Sequence, residues 1–427
     1  MIDINLIRLN PELVKSNIKK KFQTEKIPIV DKIKKLDEDW RELKKETDDL
    51  RRQRNEISKA IADAIKAKKD TKKLMQEASS IPDKIVKVEE KMSKLESQIT
   101  EMMLQIPNII SNKTPIGKDA SQNKVIKKSG TTPKFSFPVK THVELAESLN
   151  LADFDASARV AGNGFYYLKG DLALLDQALI RFAIEFMQKK GYQYIETPLM
   201  LNEKAIFASM DKKAIQESVY SIKDENLNMI GTSEQSVLAM HTNQAIPEKE
   251  LPKKYFSYSM CFRKEIGAHG INEKGLWRTH QFNKVEQFVF CKPDDSEKLY
   301  DELLKNSEEI LQALKIPYRV LEICSADLAD WKFRSADLEV WRPTIKDYSE
   351  VMSLSNCTEY QARKLNIKYI DKNGERHVLH TLNDTALATS RILVAILENY
   401  QQKDGSIVIP TVLQPFMFNK KVIKKQN

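Results

Sequence analysis

Two long stretches of this chain repeat apolar side chains every three or four residues. Ile33, Leu36, Trp40, Leu43, Thr47, Leu50, Arg54, Ile57 and Ile61 keep that spacing, and Leu74, Ala78, Ile81, Ile85, Val88, Met92, Leu95, Ile99, Met102 and Ile106 keep it again. A 3-4 repeat lays one seam along a helix. The seams are similar in length and are split by the polar run Lys66 to Lys73, which predicts an antiparallel coiled-coil hairpin over 31–106. Each helix would run about 35 residues, or roughly 50 Å at 1.5 Å per residue. Polar breaks at Thr47 and Arg54 weigh against a self-sufficient zipper dimer and suit a hairpin whose register is set by its turn. The single proline, Pro82, falls near the start of the second helix; with a longer tip loop it would sit in a first turn, where its missing N–H costs little. Apolar Ile4, Ile7, Leu13, Val14, Ile18 and Phe22 would dock the root of this arm.

Beyond the arm the pattern changes. Pro107, Pro115, Gly117, Gly130, Pro133 and Pro138 punctuate polar filler, so an N-terminal domain over 1–113 gives way to a connector over 114–138 and a main domain over 139–427. In the main domain, helices are predicted at 171–190, 203–209, 234–243, 295–314, 358–365 and 386–400. Strands are predicted at 194–197, 219–223, 255–262, 282–290, 318–323, 337–341, 348–353 and 378–382. Strand hairpins beside helices indicate an α+β domain on a mainly antiparallel sheet rather than a βαβ fold. No Walker A run and no G-x-G-x-x-G occur, so a nucleotide would be held by other means.

At 41% hydrophobic and 30% charged residues the chain is expected to be soluble, and no apolar run approaches the roughly 20 residues that span a bilayer. Met1 to Asn10 lacks the basic start and apolar core of a signal peptide. Cys261, Cys291, Cys324 and Cys357 are scattered with no C-x-x-C pair, so neither structural zinc nor a disulfide framework is expected, and a reducing cytoplasm fits. The net charge of +9 is uneven: residues 1–113 carry 26 Lys or Arg against 20 Asp or Glu, and Lys420, Lys421, Lys424 and Lys425 crowd the tail. A basic appendage suits a polyanionic partner, although long exposed helices are often rich in Lys and Glu for solubility alone.

The chemistry concentrates in four places. Phe262-Arg263-Lys264-Glu265 is followed by Gly275 to Glu286, which carries Trp277, Arg278, Thr279, Phe282 and Glu286. Both runs read as strands, joined by a polar loop with Gly267, Gly270 and Gly275, and form a long-looped hairpin. On one face, arginine can clamp a phosphate, a phenyl ring can stack on a base, and a carboxylate can hold an amino group. An edge hairpin with solvated charges is the plain alternative. Thr232-Ser233-Glu234 precedes a helix: hydroxyl and carboxylate at i and i+2 of an extended stretch could receive an ammonium, or Thr232 or Ser233 could simply cap the helix. Glu350-Val351-Met352-Ser353 ends a strand with oxygen donors that suit Mg²⁺, or is an edge strand before a capped helix. Thr381 to Tyr400 reads as a strand, a small-residue turn and an apolar helix, with Arg391 in its early turns beside the helix N-terminus.

The hairpin resembles motif 2 of the class II aminoacyl-tRNA synthetases, and its wording resembles the seryl-tRNA synthetases in particular. Gly191 to Met200 resembles motif 1, which in this class forms much of a dimer interface, and Thr381 to Tyr400 resembles motif 3. The generic motif 3 glycines are replaced here by Thr385, Ala386, Ala388 and Thr389. The resemblance spans nearly the whole chain and implies ATP-dependent charging of tRNA(Ser) with L-serine by a homodimer. It leaves tRNA(Sec) open as a second acceptor.

It also implies roles. Arg263 would meet the α-phosphate, Phe282 and Arg391 the adenine, Glu265 its amino group and Arg278 the far phosphates. Thr279, Val351 and Met352 would complete the ATP site, and Glu350 with Ser353 would hold Mg²⁺. Thr232, Glu234, Glu286, Asn383 and Thr385, together with Arg263, would bind serine. The arm would grasp the long variable arm of the tRNA by shape, with Arg51, Arg52, Arg54, Lys68 and Lys69 as candidate contacts, while the acceptor end enters the main domain. Two competing readings remain at this level. One is a class II ligase with a non-tRNA acceptor, which the long arm disfavours. The other is a non-catalytic RNA-binding relative, which the presence of Arg263, Glu286, Glu350 and Arg391 disfavours.

Overall fold

The computed structural model describes residues 1–266 and 274–425; Gly267 and Gly270 of the hairpin loop lie outside them. The chain separates into two compact units, Met1–Pro107 and Asn108–Asn427.

The first unit is dominated by two long helices, α1 (Ile27–Lys66) and α2 (Lys72–Met103). Thr47 Oγ1 meets Met92 Sδ at 3.5 Å, and Arg51 pairs with Glu89 at 2.7 Å, so the helices run antiparallel. The covered stripe follows the predicted seam: Ile33, Thr47, Ile81, Ile85, Val88 and Ile99 are buried. Buried Thr47 returns its hydroxyl to the Leu43 carbonyl at 3.0 Å, which explains a polar residue there, whereas Arg54 points out to solvent. The tip is short, so α2 starts at Lys72 and Pro82 lies well inside it rather than in its first turn. Burial of Ile81 and Ile85 beside the proline keeps the helix continuous despite the lost hydrogen bond.

At the base of α1, Asp37 is buried and receives Arg8 Nη2 at 2.7 Å, Arg8 Nε at 2.8 Å and Arg41 Nε at 3.0 Å. Burial alone would raise the Asp37 carboxyl, but the two guanidinium groups outweigh it and hold it below the ordinary value.

The second unit is built on eight strands: β1 (Lys124–Ser129), β2 (Gln193–Tyr194), β3 (Lys253–Phe262), β4 (Gln281–Cys291), β5 (Tyr318–Glu322), β6 (Arg334–Arg342), β7 (Asp347–Thr358) and β8 (His380–Ala388). They lie in the order β1-β5-β6-β7-β8-β4-β3-β2, and every pairing is antiparallel except β2 with β3. Helices α3 (Gly170–Lys189), α5 (Ser296–Ala313) and α6 (Thr389–Asn399) contribute Leu175, Leu179, Leu303, Ile310, Leu393 and Ile396 to the main core. The sheet answers with Val285, Val289, Leu338, Leu354 and Leu382. Helix α4 (Ser233–Ala239) belongs to a smaller cluster with Val237, Leu238, Phe288 and Phe290.

Three expectations change. The stretch taken as a connector supplies β1, an edge strand whose exposed lysines hide its pairing with β5. No strand forms over 219–223, where the chain leaves a short helix at Ser218 and makes only an isolated bridge between Ser221 and Asn228. The predicted small-residue turn before α6 is also absent. Instead β8 runs to Ala388, and α6 follows at Thr389.

Candidate active site

Side chains alternate along a strand, so the residues that can share a site follow from register. Glu286 pairs with Thr385 across β4 and β8, and Lys284 with Ala388. On β7 an extra residue intervenes. Met352 pairs with Leu338 but Glu350 pairs with Glu339, so Val351 is a bulge. The bulge returns Glu350 to the face that carries Ser353 and Ser355.

These faces line a cavity of about 520 Å³. It gathers Thr232, Glu234, Arg263, Glu265, Arg278, Thr279, Phe282, Glu286, Glu350, Val351, Met352, Ser353, Asn383, Thr385 and Arg391, which are all the main-domain residues the sequence nominated. It also contains Trp277, which the hairpin motif carries without an assigned role, and Lys284, Trp331 and Lys332, which the sequence did not single out. Lys284 had a signal, because it stands midway between Phe282 and Glu286 at the two-residue period of a strand. Trp331 and Lys332 come from an irregular segment before β6 and had none.

At one end, two carboxylates converge. Asn383 Nδ2 donates to Glu234 Oε2 and to Glu286 Oε1, both at 3.0 Å. Glu286 Oε2 also accepts from Lys284 Nζ at 2.5 Å and from Thr385 Oγ1 at 3.3 Å. Glu234 Oε1 accepts from Gln361 Nε2 at 2.7 Å. Burial, reinforced by the charge of Glu286, pushes the Glu234 carboxyl up. Asn383 Oδ1 is buried with no partner, so this end offers both negative charge and an open acceptor. Thr232 caps α4, its hydroxyl accepting from the Glu234 N–H at 3.2 Å. Glu234 therefore sits in the first helical turn and not on an extended stretch. The capping and pocket readings hold together, because the cap is what fixes Glu234.

Across the cavity, the Arg263 guanidinium lies 5.3 Å from the centre of the Phe282 ring and donates Nε to the Gly231 carbonyl at 3.0 Å. Its backbone N–H donates to the His280 carbonyl at 2.9 Å, tying the two limbs of the hairpin just past β3. Glu265 and Arg278 pair at 2.6 Å, so a ligand that uses either must share or open this pair. Arg391 Nη1 reaches Glu350 Oε2 at 3.3 Å and the Glu350 carbonyl at 2.9 Å, and its guanidinium is 5.6 Å from the Trp277 ring. The Glu350 carboxyl would be raised by loss of water, but Arg391, Lys332 and Arg263 bring it below its ordinary value. Neighbouring Asp337 is pushed up to about 7 by burial and by Glu350. Glu350, Ser353 and Asp337 form an all-oxygen donor set on paired strands, which fits a hard divalent cation.

The arm candidates lie in the first unit. Arg51 is engaged with Glu89 and Arg52 with Asp49, while Arg54, Lys68 and Lys69 are exposed near or at the tip.

An antiparallel sheet whose adjacent strands carry Phe282, Glu286, Glu350, Asn383 and Thr385 into one cavity with arginines from the flanking loops and helix is the catalytic core of a class II aminoacyl-tRNA synthetase. Residues 219–400 match the tRNA synthetase class II core domain (G, H, P, S and T), and residues 1–110 match the seryl-tRNA synthetase N-terminal domain. The serine–tRNA ligase of Methanospirillum hungatei is 44% identical over 99% of this chain and 100% of its own. A crystal structure of seryl-tRNA synthetase from Pyrococcus horikoshii complexed with ATP has a TM-score of 0.94 at 38% identity, covering 100% of both chains. The cytoplasmic serine–tRNA ligase of Naegleria fowleri, in complex with AMP, has a TM-score of 0.89 at 33% identity over 100% of this chain and 99% of that one. The chain belongs to the seryl-tRNA synthetase family.

Proposed function

We propose that this chain joins L-serine to tRNA(Ser) at the expense of ATP. The carrying observation is the single cavity in which a carboxylate pair with an open amide acceptor faces three arginines. The serine ammonium and hydroxyl lie among Glu234, Glu286, Thr232, Asn383 and Thr385. The serine carboxylate turns toward Arg263, where the ATP α-phosphate lies. Carboxylate oxygen attacks phosphorus, pyrophosphate leaves, and seryl-adenylate remains. A ribose hydroxyl of the tRNA 3′ end then attacks the adenylate carbonyl and releases AMP. Arg263 neutralises the charge that grows on the α-phosphate, Phe282 and Arg391 sandwich the adenine with Arg391 also near the γ-phosphate, and Arg278 meets the far phosphates. Glu265 accepts the adenine amino group, with Thr279, Val351 and Met352 forming the walls. Glu350 and Ser353 would hold Mg²⁺, which would supply charge neutralisation to the phosphates when bound.

The same reading extends to partners. The arm grips the long variable arm of the tRNA through Arg51, Arg52, Arg54, Lys68 and Lys69, and the acceptor end reaches the cavity. A homodimer is supported by the open sheet edge at β2, where Tyr194 is exposed, and by the exposed apolar Leu199 and Met200 of the segment that follows it. Among the described residues no helix is long and apolar enough to cross a membrane. Four free, buried cysteines accord with a reducing cytoplasm.

Amino-acid-dependent ATP–pyrophosphate exchange, measured with each of the twenty amino acids and no tRNA, tests the reading. Exchange with serine alone is expected. Exchange with a different amino acid would overturn the pocket assignment, and silence with all would overturn catalysis. For the arm, deletion of 31–106 is expected to weaken tRNA(Ser) binding and flatten its salt dependence while exchange persists. Light scattering tests the dimer.

A further inference from the structure

Two carboxylates share one amide donor at the closed end of the cavity, Glu286 buried and Glu234 half-buried. Placing two such charges side by side without cations is costly. Among the described residues, the cation that touches the pair is Lys284, whose side chain is 6% exposed and whose Nζ lies 2.5 Å from Glu286 Oε2. Lys332 also bears on Glu234 electrostatically, but its Nζ faces the hydroxyls of Ser335 and Ser353 at 3.1 and 3.4 Å, on the Glu350 side. A lysine this enclosed cannot be a solvated surface charge. Register puts it on the cavity face, opposite Ala388 on one side and Ser259 on the other, two small residues that leave room for its stem.

We propose that Lys284 is a positioning residue that sets the charge of the amino-acid pocket. It fixes one oxygen of Glu286, and it leaves the pair one positive charge short, so that a single ammonium completes the site. The inference rests on the assignment of this end to the serine ammonium. It explains why the pocket carries two carboxylates for one ammonium. It also predicts selection against neutral 2-hydroxy acids and against dications, because either would leave the buried cluster charged.

The test is a change of sign. In the native background Lys284→Met is expected to raise KM for serine by about tenfold or more, as loss of one partner of a buried hydrogen-bonded pair does, with KM for ATP within about twofold. In Glu286→Gln the lysine faces Glu234 alone and the pocket is already neutral. There the same Lys284→Met change restores one negative charge and is expected to lower KM for serine by about threefold or more relative to Glu286→Gln alone. A merely structural lysine would weaken binding in both backgrounds. Equal weakening in both, or parallel changes in KM for serine and ATP, would overturn the proposal. Should Lys284→Met fail to fold, Glu286→Gln against Glu286→Gln/Lys284→Met decides alone, since the double variant buries no unpaired lysine. Failure of the pocket assignment itself would look different: the unmodified protein would exchange pyrophosphate with another amino acid or with none.

Discussion

A methyl group on Gly275 would sit 2.4 Å from His142 Nε2. That nitrogen accepts the Leu276 N–H at 3.1 Å, so the imidazole carries its proton on Nδ1, which faces Glu398 Oε1 at 3.4 Å. Glu398 is held in turn by Arg342 Nη2 at 2.7 Å and Thr344 Oγ1 at 2.8 Å. The returning limb of the hairpin is thus pinned just before Trp277 and Arg278. Gly275 also has φ +145°, which side-chain-bearing residues rarely adopt. Gly275→Ala is expected to displace both residues and lower serine-dependent exchange by about 10²-fold, the usual result of misplacing a reacting group by an ångström. Exchange kinetics beside a circular dichroism melt would separate this from unfolding.

Arg263 lies over the Phe282 ring with one nitrogen fixed on Gly231. A donor held in advance is worth most in the transition state, so Arg263→Ala is expected to cut the rate of adenylate formation by about 10²–10³. Arg263→Lys keeps charge but loses the planar fork and should recover only part. Stopped-flow measurement of pyrophosphate release would show an unchanged rate if the assignment were wrong.

Asp384 faces away from the cavity, between Asn383 and Thr385, and is fully buried. Its Oδ2 accepts Ser307 Oγ at 2.6 Å and Gln287 Nε2 at 3.1 Å, while Oδ1 has no partner. Burial pushes its carboxyl well above the ordinary range. The folded state therefore holds a proton that the unfolded chain releases near pH 4, and stability declines as pH rises above that point toward the folded value. Asp384→Asn removes the penalty. Relative to the native chain, the variant should gain about 1 kcal/mol or more of stability between pH 5 and pH 8, read by urea melts at both.

Pro82 lies within α2. Pro82→Ala restores a donor and is expected to stabilise that part of the arm by up to about 3 kcal/mol. Hydrogen exchange of residues 72–90 in the full chain should slow, while pyrophosphate exchange stays the same.

The arm was the most legible part, because a long seam in a polar sequence has no competing explanation. Even there the helix boundary near Pro82 depended on the length of a tip that carries no periodic signal. The cavity was legible residue by residue, since arginines and carboxylates on strands have few places to go. What bound them was less visible. Asn383 bridging two glutamates is a contact between β8, β4 and α4, separated by 149 and 97 residues along the chain. Lys284 went unnoticed because a lysine in a strand usually means solvent, and only the enclosure of β4 by its neighbours buries it. Edge strand β1 was missed for the converse reason: its exposed side chains carry no alternation.

The bulge at Val351 works like a shift of reading frame. Upstream and downstream of it, β7 presents alternate residues to alternate faces, and the one uncounted position moves Glu350 into phase with Ser353. Were Val351 drawn into the regular ladder instead, no side chain would be lost from the polypeptide, and yet Glu350 would turn to the opposite face from Ser353 and Ser355. Whether the strand delivers oxygen or hydrocarbon to the nucleotide thus rests on the parity of its residue count.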